Sequence, residues 1–225
     1  MRPAPRQAPG HPLVWRGGQR QHALPVLPSG HPVLDQHLPG GGWPVGALTE
    51  LRPARPGLGE FWLLLPLLAR VTHGGGWAIL VNPPWIPYPP ALRGHGIELK
   101  RLLRVQTGGA ADTLWACEQA LRGARGGTVL AWAGDDRRQG AFSQLRRLQL
   151  AARDGHKPAF LFAAPGDASR ATPAALCLGL DAGKRGLEIR LLKCRGHRPA
   201  QPIHLRRPHD DDAIMMATPI PTGHA

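Results

Sequence analysis

Three short runs of almost uninterrupted apolar residues constrain this chain more than any other feature: Trp-Ala-Ile-Leu-Val at 77–81, Thr-Val-Leu-Ala-Trp at 128–132 and Ala-Phe-Leu-Phe-Ala at 159–163. Each is too short for a buried helix and shows no alternation, as expected of a strand covered on both faces. Segments with helical spacing lie between and before them, at 60–71, 112–122 and 142–153. In the second, Leu114, Cys117 and Leu121 share one face and Asp112 can cap the start. In the third, Phe142, Leu145, Leu148 and Ala152 point inward and Arg146, Arg147 and Arg153 elsewhere. Residues 47–51 read as a further strand, and 90–94 and 99–103 as short helical or irregular pieces. Residues 176–180, 187–193 and 203–206 close the chain as strands, with a turn at 183–186. Strands alternating with helices require a mostly parallel sheet with helices on both faces. The closing strands have no helices between them and add antiparallel at one edge. The fold class is α/β.

The ends differ from this core. Residues 1–28 form a Pro/Arg-rich arm, 29–207 the core domain, and 208–225, with Asp210-Asp211-Asp212, a flexible tail. Lys and Arg number 28 against 15 Asp and Glu, a net charge of +13, which favours polyanionic partners. A GC-rich coding sequence would produce the same Arg, Gly and Pro excess, so both readings stand. Three scattered cysteines, Cys117, Cys177 and Cys194, fit neither a disulfide framework nor a zinc site and suit a reducing cytoplasm. The longest apolar run, 61–69, contains Pro66 and is far below the roughly 20 residues of a membrane span. The basic N-terminus has no apolar stretch behind it, so no signal peptide is expected.

The most informative stretch is 40–63, GGGWPVGALTELRPARPGLGEFWL. A Gly-rich turn, a strand ending Glu-Leu, a loop and a helix follow one another as they do around a phosphate-binding loop. That loop has the pattern G-x-x-x-x-G-K-[ST], whose backbone N–H groups and Lys hold phosphates and whose hydroxyl holds Mg²⁺. Aligned by the strand before and the helix after, the first Gly becomes Ala54 and the second survives as Gly59. The Lys position is Glu60 and the Ser/Thr position Phe61. A carboxylate repels phosphate, and Glu60 is expected instead to cap its own helix start. Phe61 cannot coordinate Mg²⁺, and Pro53 and Pro56 each remove a backbone donor. The strand at 77–81 runs into Asn82-Pro83-Pro84 with no water-orienting carboxylate. The strand at 128–132 contains no acid for Mg²⁺; Asp135 and Asp136 come after it. Phosphoryl transfer depends on positioning and charge compensation, and all four groups are missing. No nucleotide or other cofactor and no catalytic residue is expected.

The order of elements is that of a RecA-like P-loop NTPase core. Within it, SGHPVLDQHLPGGGWPVGALTEL, GLGEFWLLLPLLARV, NPPWIPYPPAL, DTLWACEQALR, GGTVLAW, QLRRLQLAA and LEIRLLKCRGH together resemble the ImuA family of translesion-synthesis proteins, which are RecA-related and sometimes labelled SulA-like. The resemblance covers about residues 28–206. It implies a cytoplasmic, non-catalytic accessory protein of the SOS response, binding ImuB, an inactive Y-family polymerase homologue, and RecA. It also implies an indirect association with an error-prone replicative-type polymerase. The alternatives are a DNA-dependent RecA-type ATPase, against which the missing Lys argues, and a SulA-like cell-division inhibitor.

For weak contact with DNA or an acidic partner, the candidates are Arg137 and Arg138 after one strand, Arg170 after the next, and the helix arginines Arg146, Arg147 and Arg153; a solvated basic face is the competing reading. Neither post-strand loop contains an aromatic residue for base stacking. The arm does not read as a helix and strand that could join a neighbouring subunit, so no autonomous filament is expected. Trp15, Trp43 and Trp85 are candidate exposed anchors, with packing of their loops on the core as the competing reading, and Met215-Met216 is a candidate docking peptide. No metal site is expected from the eleven dispersed histidines; His209 beside the tail aspartates reads as solvated.

Overall fold

A computed structural model describes residues 24–123, 126–132, 141–164, 171–194 and 201–207. The elements are β1 (Val26–Leu27), α1 (Pro32–Asp35), β2 (Trp43–Pro44), β3 (Ala47–Pro53), a 3-10 helix (Glu60–Leu64) continuing as α2 (Leu65–His73), β4 (Trp77–Val81) and α3 (Pro89–Gly94). A 3-10 turn (Leu99–Arg101), β5 (Leu102–Val105), α4 (Ala110–Arg122), β6 (Gly127–Trp132), α5 (Ala141–Asp154) and β7 (Pro158–Phe162) follow. The chain closes with β8 (Leu176–Gly183), β9 (Gly186–Lys193) and β10 (Ile203–Arg206).

Eight strands form one sheet in the order β10-β9-β8-β3-β7-β6-β4-β5. The six from β8 to β5 run parallel, and β9 and β10 add antiparallel at one edge. β1 and β2 make a separate small antiparallel pair. The period-2 geometry of a strand divides the core. Leu51, Leu80, Leu130, Phe160 and Leu178 face Leu63, Leu67 and Leu68 of the 3-10/α2 segment and Leu92 of α3. Leu48, Val81, Val129 and Leu161 face Leu114, Cys117 and Leu121 of α4 and Leu145, Leu148 and Ala152 of α5. Both sheet faces are covered, which is why the central strands carry no polar alternation.

Several local expectations need correction. Residues 99–103, expected to be a short helical or irregular piece, begin as a 3-10 turn at 99–101 but continue as an edge strand from Leu102. Leu103 and Arg104 are exposed there, as befits a short strand at the edge of the sheet. Asp112 is not the cap of α4: the helix starts at Ala110, with Gly109 at the cap position and Asp112 inside the first turn. Phe142 is exposed rather than inward. The buried stripe begins one turn later, at Leu145, because spacing alone does not reveal where the core beneath a helix ends. Of the two readings open for Trp43, exposed anchor or packing on the core, the second holds: it is fully buried with its ring edge-on to Phe160 at 5.2 Å. Pro66 does not interrupt the helix; it stands in the first turn of α2, where its missing N–H is harmless. Among the described residues, no helix is long and apolar enough to cross a membrane.

Candidate functional site

In open parallel sheets, ligands bind outside the carboxyl ends of the strands where neighbouring strands continue in opposite directions. Here that place lies between β3, which leads through α2 to β4 on one side, and β7, which leads to β8 on the other. The loop at 54–59, the start of the 3-10 helix and the last residues of β6 and β7 surround it.

β3 approaches this rim with a buried ion pair. Glu50 and Arg52 are two residues apart, hence on the same sheet face, and meet in a fork: Nε to Oε1 at 3.0 Å and Nη2 to Oε2 at 3.1 Å. Ala54 to Gly57 are exposed and Leu58 is buried. Gly57 and Gly59 adopt positive φ, +76° and +70°, which only glycine tolerates easily. Arg207, just past β10, donates from Nη2 to the Leu58 carbonyl at 2.8 Å. Its guanidinium lies where a Cβ on Gly59 would stand. Gly59 thus accommodates an arginine of the chain itself.

Glu60 does not cap its helix. Gly59 occupies the cap position, no side chain caps it, and the first turn closes through Trp62 N–H to the Gly59 carbonyl at 3.1 Å. The Glu60 side chain turns inward, 9% exposed, and its Oε2 has no hydrogen-bond partner. Phe61 contacts Trp132 at 6.0 Å between ring centroids, and Trp132 stacks on Phe162 at 4.6 Å and 9°. Phe61 and the ends of β6 and β7 therefore converge on a three-ring column. Offset aromatic stacks exclude water and offer no oxygen to a cation. Sequence reading placed Phe61 here but missed the roles of Trp132 and Phe162. Their positions at two strand ends were the available signal, and it becomes visible only once β6 and β7 are known to be neighbours.

At the end of β4, Asn82 stands where a water-orienting carboxylate was sought. It has φ +52° and acts as a clasp: Nδ2 donates to Thr107 Oγ1 at 2.8 Å and Thr113 Oγ1 at 2.9 Å, and Oδ1 accepts from Thr107 N–H at 2.8 Å. Only an amide both donates and accepts in this way. It ties β4 to the β5–α4 link.

Of the arginine candidates, Arg146, Arg147 and Arg153 lie among the described residues. Arg147 forks onto buried Glu118 of α4, with both N–O distances 2.8 Å. It is committed to holding α4 against α5. Arg146 and Arg153 are exposed, and Arg153 pairs loosely with Asp154 at 3.4 Å. Arg137, Arg138 and Arg170 lie outside the described residues, as do Asp135, Asp136, Trp15, His209 and Met215-Met216. Lys157 is also committed: its buried Nζ donates to the Ala120 and Gly123 carbonyls at the end of α4, at 2.9 and 3.2 Å, and burial lowers its pKa. Among the described residues, no group of three His, Cys, Asp or Glu could hold a metal ion. No family model matches the chain, and no curated protein matches it.

Proposed function

We propose that this chain is a RecA-type core converted from an ATPase into a binding scaffold, serving as a non-catalytic accessory protein of translesion synthesis in the cytoplasm. The observation that carries this reading is the Phe61–Trp132–Phe162 column at the carboxyl rim. Where the loop hydroxyl and the acidic strand end would hold Mg²⁺, two aromatic side chains meet instead. A nucleotide phosphate there would face Glu60 and ring carbons, and Phe61 and Trp132 offer no oxygen to the Mg²⁺ that phosphoryl transfer requires. The middle position of β3 in the sheet and the loop-to-helix junction after it agree with the core plan. The ordered, fully packed sheet retains a rigid surface for partners after the chemistry is lost.

The partners this reading names are an ImuB-type polymerase homologue and RecA. The test is co-purification of the full chain with each, beside an Mg²⁺-ATP titration by calorimetry. Retention of either partner with no ATP heat is expected. Tight Mg²⁺-dependent ATP binding would restore the enzyme reading, and failure to retain either partner would remove the accessory role.

A further inference from the structure

The most exposed large apolar side chains of the described residues lie in the segment after β4, beside β6 on the same carboxyl rim, and are not among the three rings of the column. Between β4 and α3 the chain reads Asn82-Pro83-Pro84-Trp85-Ile86-Pro87-Tyr88-Pro89-Pro90. Trp85, Ile86 and Tyr88 are 64, 74 and 69% exposed. A single exposed apolar residue needs no explanation, but three within four positions do. Both ends of the segment are anchored, by the Asn82 clasp on one side and by buried Leu92 on the other. Five prolines in nine residues restrict φ between these anchors. The loop is preorganised, so little ordering entropy opposes a ligand.

The flanks are basic. From residue 82 to 105 the chain carries Arg93, Lys100, Arg101 and Arg104 against Glu98 alone. Lys100 pairs with Glu98 at 3.3 Å, and Arg101 donates to the Gly75 carbonyl. Arg104 is exposed and shares one bond with Gln106. It stands opposite Leu80, two residues before the loop begins. Arg93 is exposed on α3, just after the loop ends.

We propose that Trp85 and Tyr88 form a stacking platform for single-stranded nucleic acid, with Arg93 and Arg104 taking the phosphates on either side. Aromatic faces find bases only where the bases are unpaired, and stacking is tolerant of sequence. The basic flanks and the chain's net charge of +13 select a polyanion over a neutral protein groove. The platform is separate from the post-strand loops that lack aromatic residues, and it does not depend on the fate of the phosphate loop.

The test is fluorescence anisotropy of a labelled oligothymidine of about twenty nucleotides with the full chain at low salt, repeated across a salt series. Trp85→Ala/Tyr88→Ala is expected to weaken binding by about tenfold or more, and Trp85→Phe/Tyr88→Phe to keep most of it. Arg93→Ala/Arg104→Ala should reduce the salt slope by about 1.4, or about 0.7 per phosphate. Phe142→Ala, an exposed ring elsewhere, should change nothing. All these side chains are exposed, and an unchanged thermal transition will establish that each variant folds. Full affinity in the Trp85/Tyr88 variant, or no binding by the native chain, overturns the proposal. So does a Trp85/Tyr88 variant that binds the oligonucleotide normally but no longer retains a partner protein, which would assign the loop to protein recognition.

Discussion

Trp132 and Phe162 lie face to face at the carboxyl ends of adjacent strands, their ring centroids 4.6 Å apart and their planes 9° from parallel. The stack exists because Trp132 is the register partner of Phe162, which aligns the two side chains on one sheet face. Phe61 closes it from the helix side. Replacing Trp132 with Ala removes the central ring. As Trp132 is only partly buried, the loss should fall below that of a fully buried aromatic, at about 2 kcal/mol. Urea denaturation monitored by circular dichroism measures it, and a loss under about 0.5 kcal/mol would mean that the column does not hold the rim.

Glu60→Lys tests whether one charge separates this chain from an ATPase. The variant would still carry Phe61 in place of the hydroxyl and Trp132 at the strand end. No Mg²⁺-dependent hydrolysis above background is expected in a phosphate-release assay. Robust turnover would refute the reading that several groups are missing together.

Arg147 is 57% exposed, but the Glu118 side chain it forks onto is only 6% exposed. Arg147→Ala therefore leaves a buried carboxylate unpaired, an effect larger than an exposed ion pair would give. A loss of about 1–2 kcal/mol is expected, with Glu118→Gln/Arg147→Ala recovering part of it. A double-mutant cycle in urea reads the coupling, and strict additivity would show that the pair does not join the helices.

His31 donates through Nε2 to the Leu63 carbonyl, 3.1 Å away, and packs on Trp62 with ring centroids 4.7 Å apart. Burial lowers its pKa from the ordinary 6.5, opposed in part by the Leu63 carbonyl and the Asp35 charge. The unfolded chain thus binds the proton more readily. The stabilisation from neutral His31 is fully present above pH 6.5 and is lost as pH falls below it toward the lowered folded value. Thermal melts of the native chain and His31→Gln between neutral and mildly acidic pH should diverge in slope, the variant being flatter.

Burial, with a further push from the Glu118 charge, raises the Cys117 thiol to about 12. Cys177 is buried and Cys194 only partly so. Iodoacetamide at about pH 8 should modify Cys194 first and leave Cys117 intact until denaturant is added, because the thiolate is the reactive form. Peptide mass spectrometry distinguishes the three. Rapid labelling of Cys117 in the native chain would contradict the packing of α4 on the sheet.

The sequence by itself determined the α/β class, the parallel core and the antiparallel closing strands. These follow from period and apolar content, which are local properties: the runs at 77–81, 128–132 and 159–163 carry their own evidence of two-sided burial. It also determined that the loop at Ala54 to Phe61 lacks a lysine and a hydroxyl, since those are matters of residue identity. The tertiary structure alone decided what fills the gap. Trp132 and Phe162 are 30 positions apart and meet only because β6 pairs with β7. Arg207 reaches Leu58 only because β10 closes the sheet edge. Edge strand β5 was illegible because its four residues, Leu102 to Val105, are too short a run to separate strand from helix by period. The inward turn of Trp43 and Glu60, the outward turn of Phe142 and the capture of Arg147 by Glu118 likewise depend on neighbours far along the chain. Spacing along one element cannot specify them, because burial is set by what packs against that element.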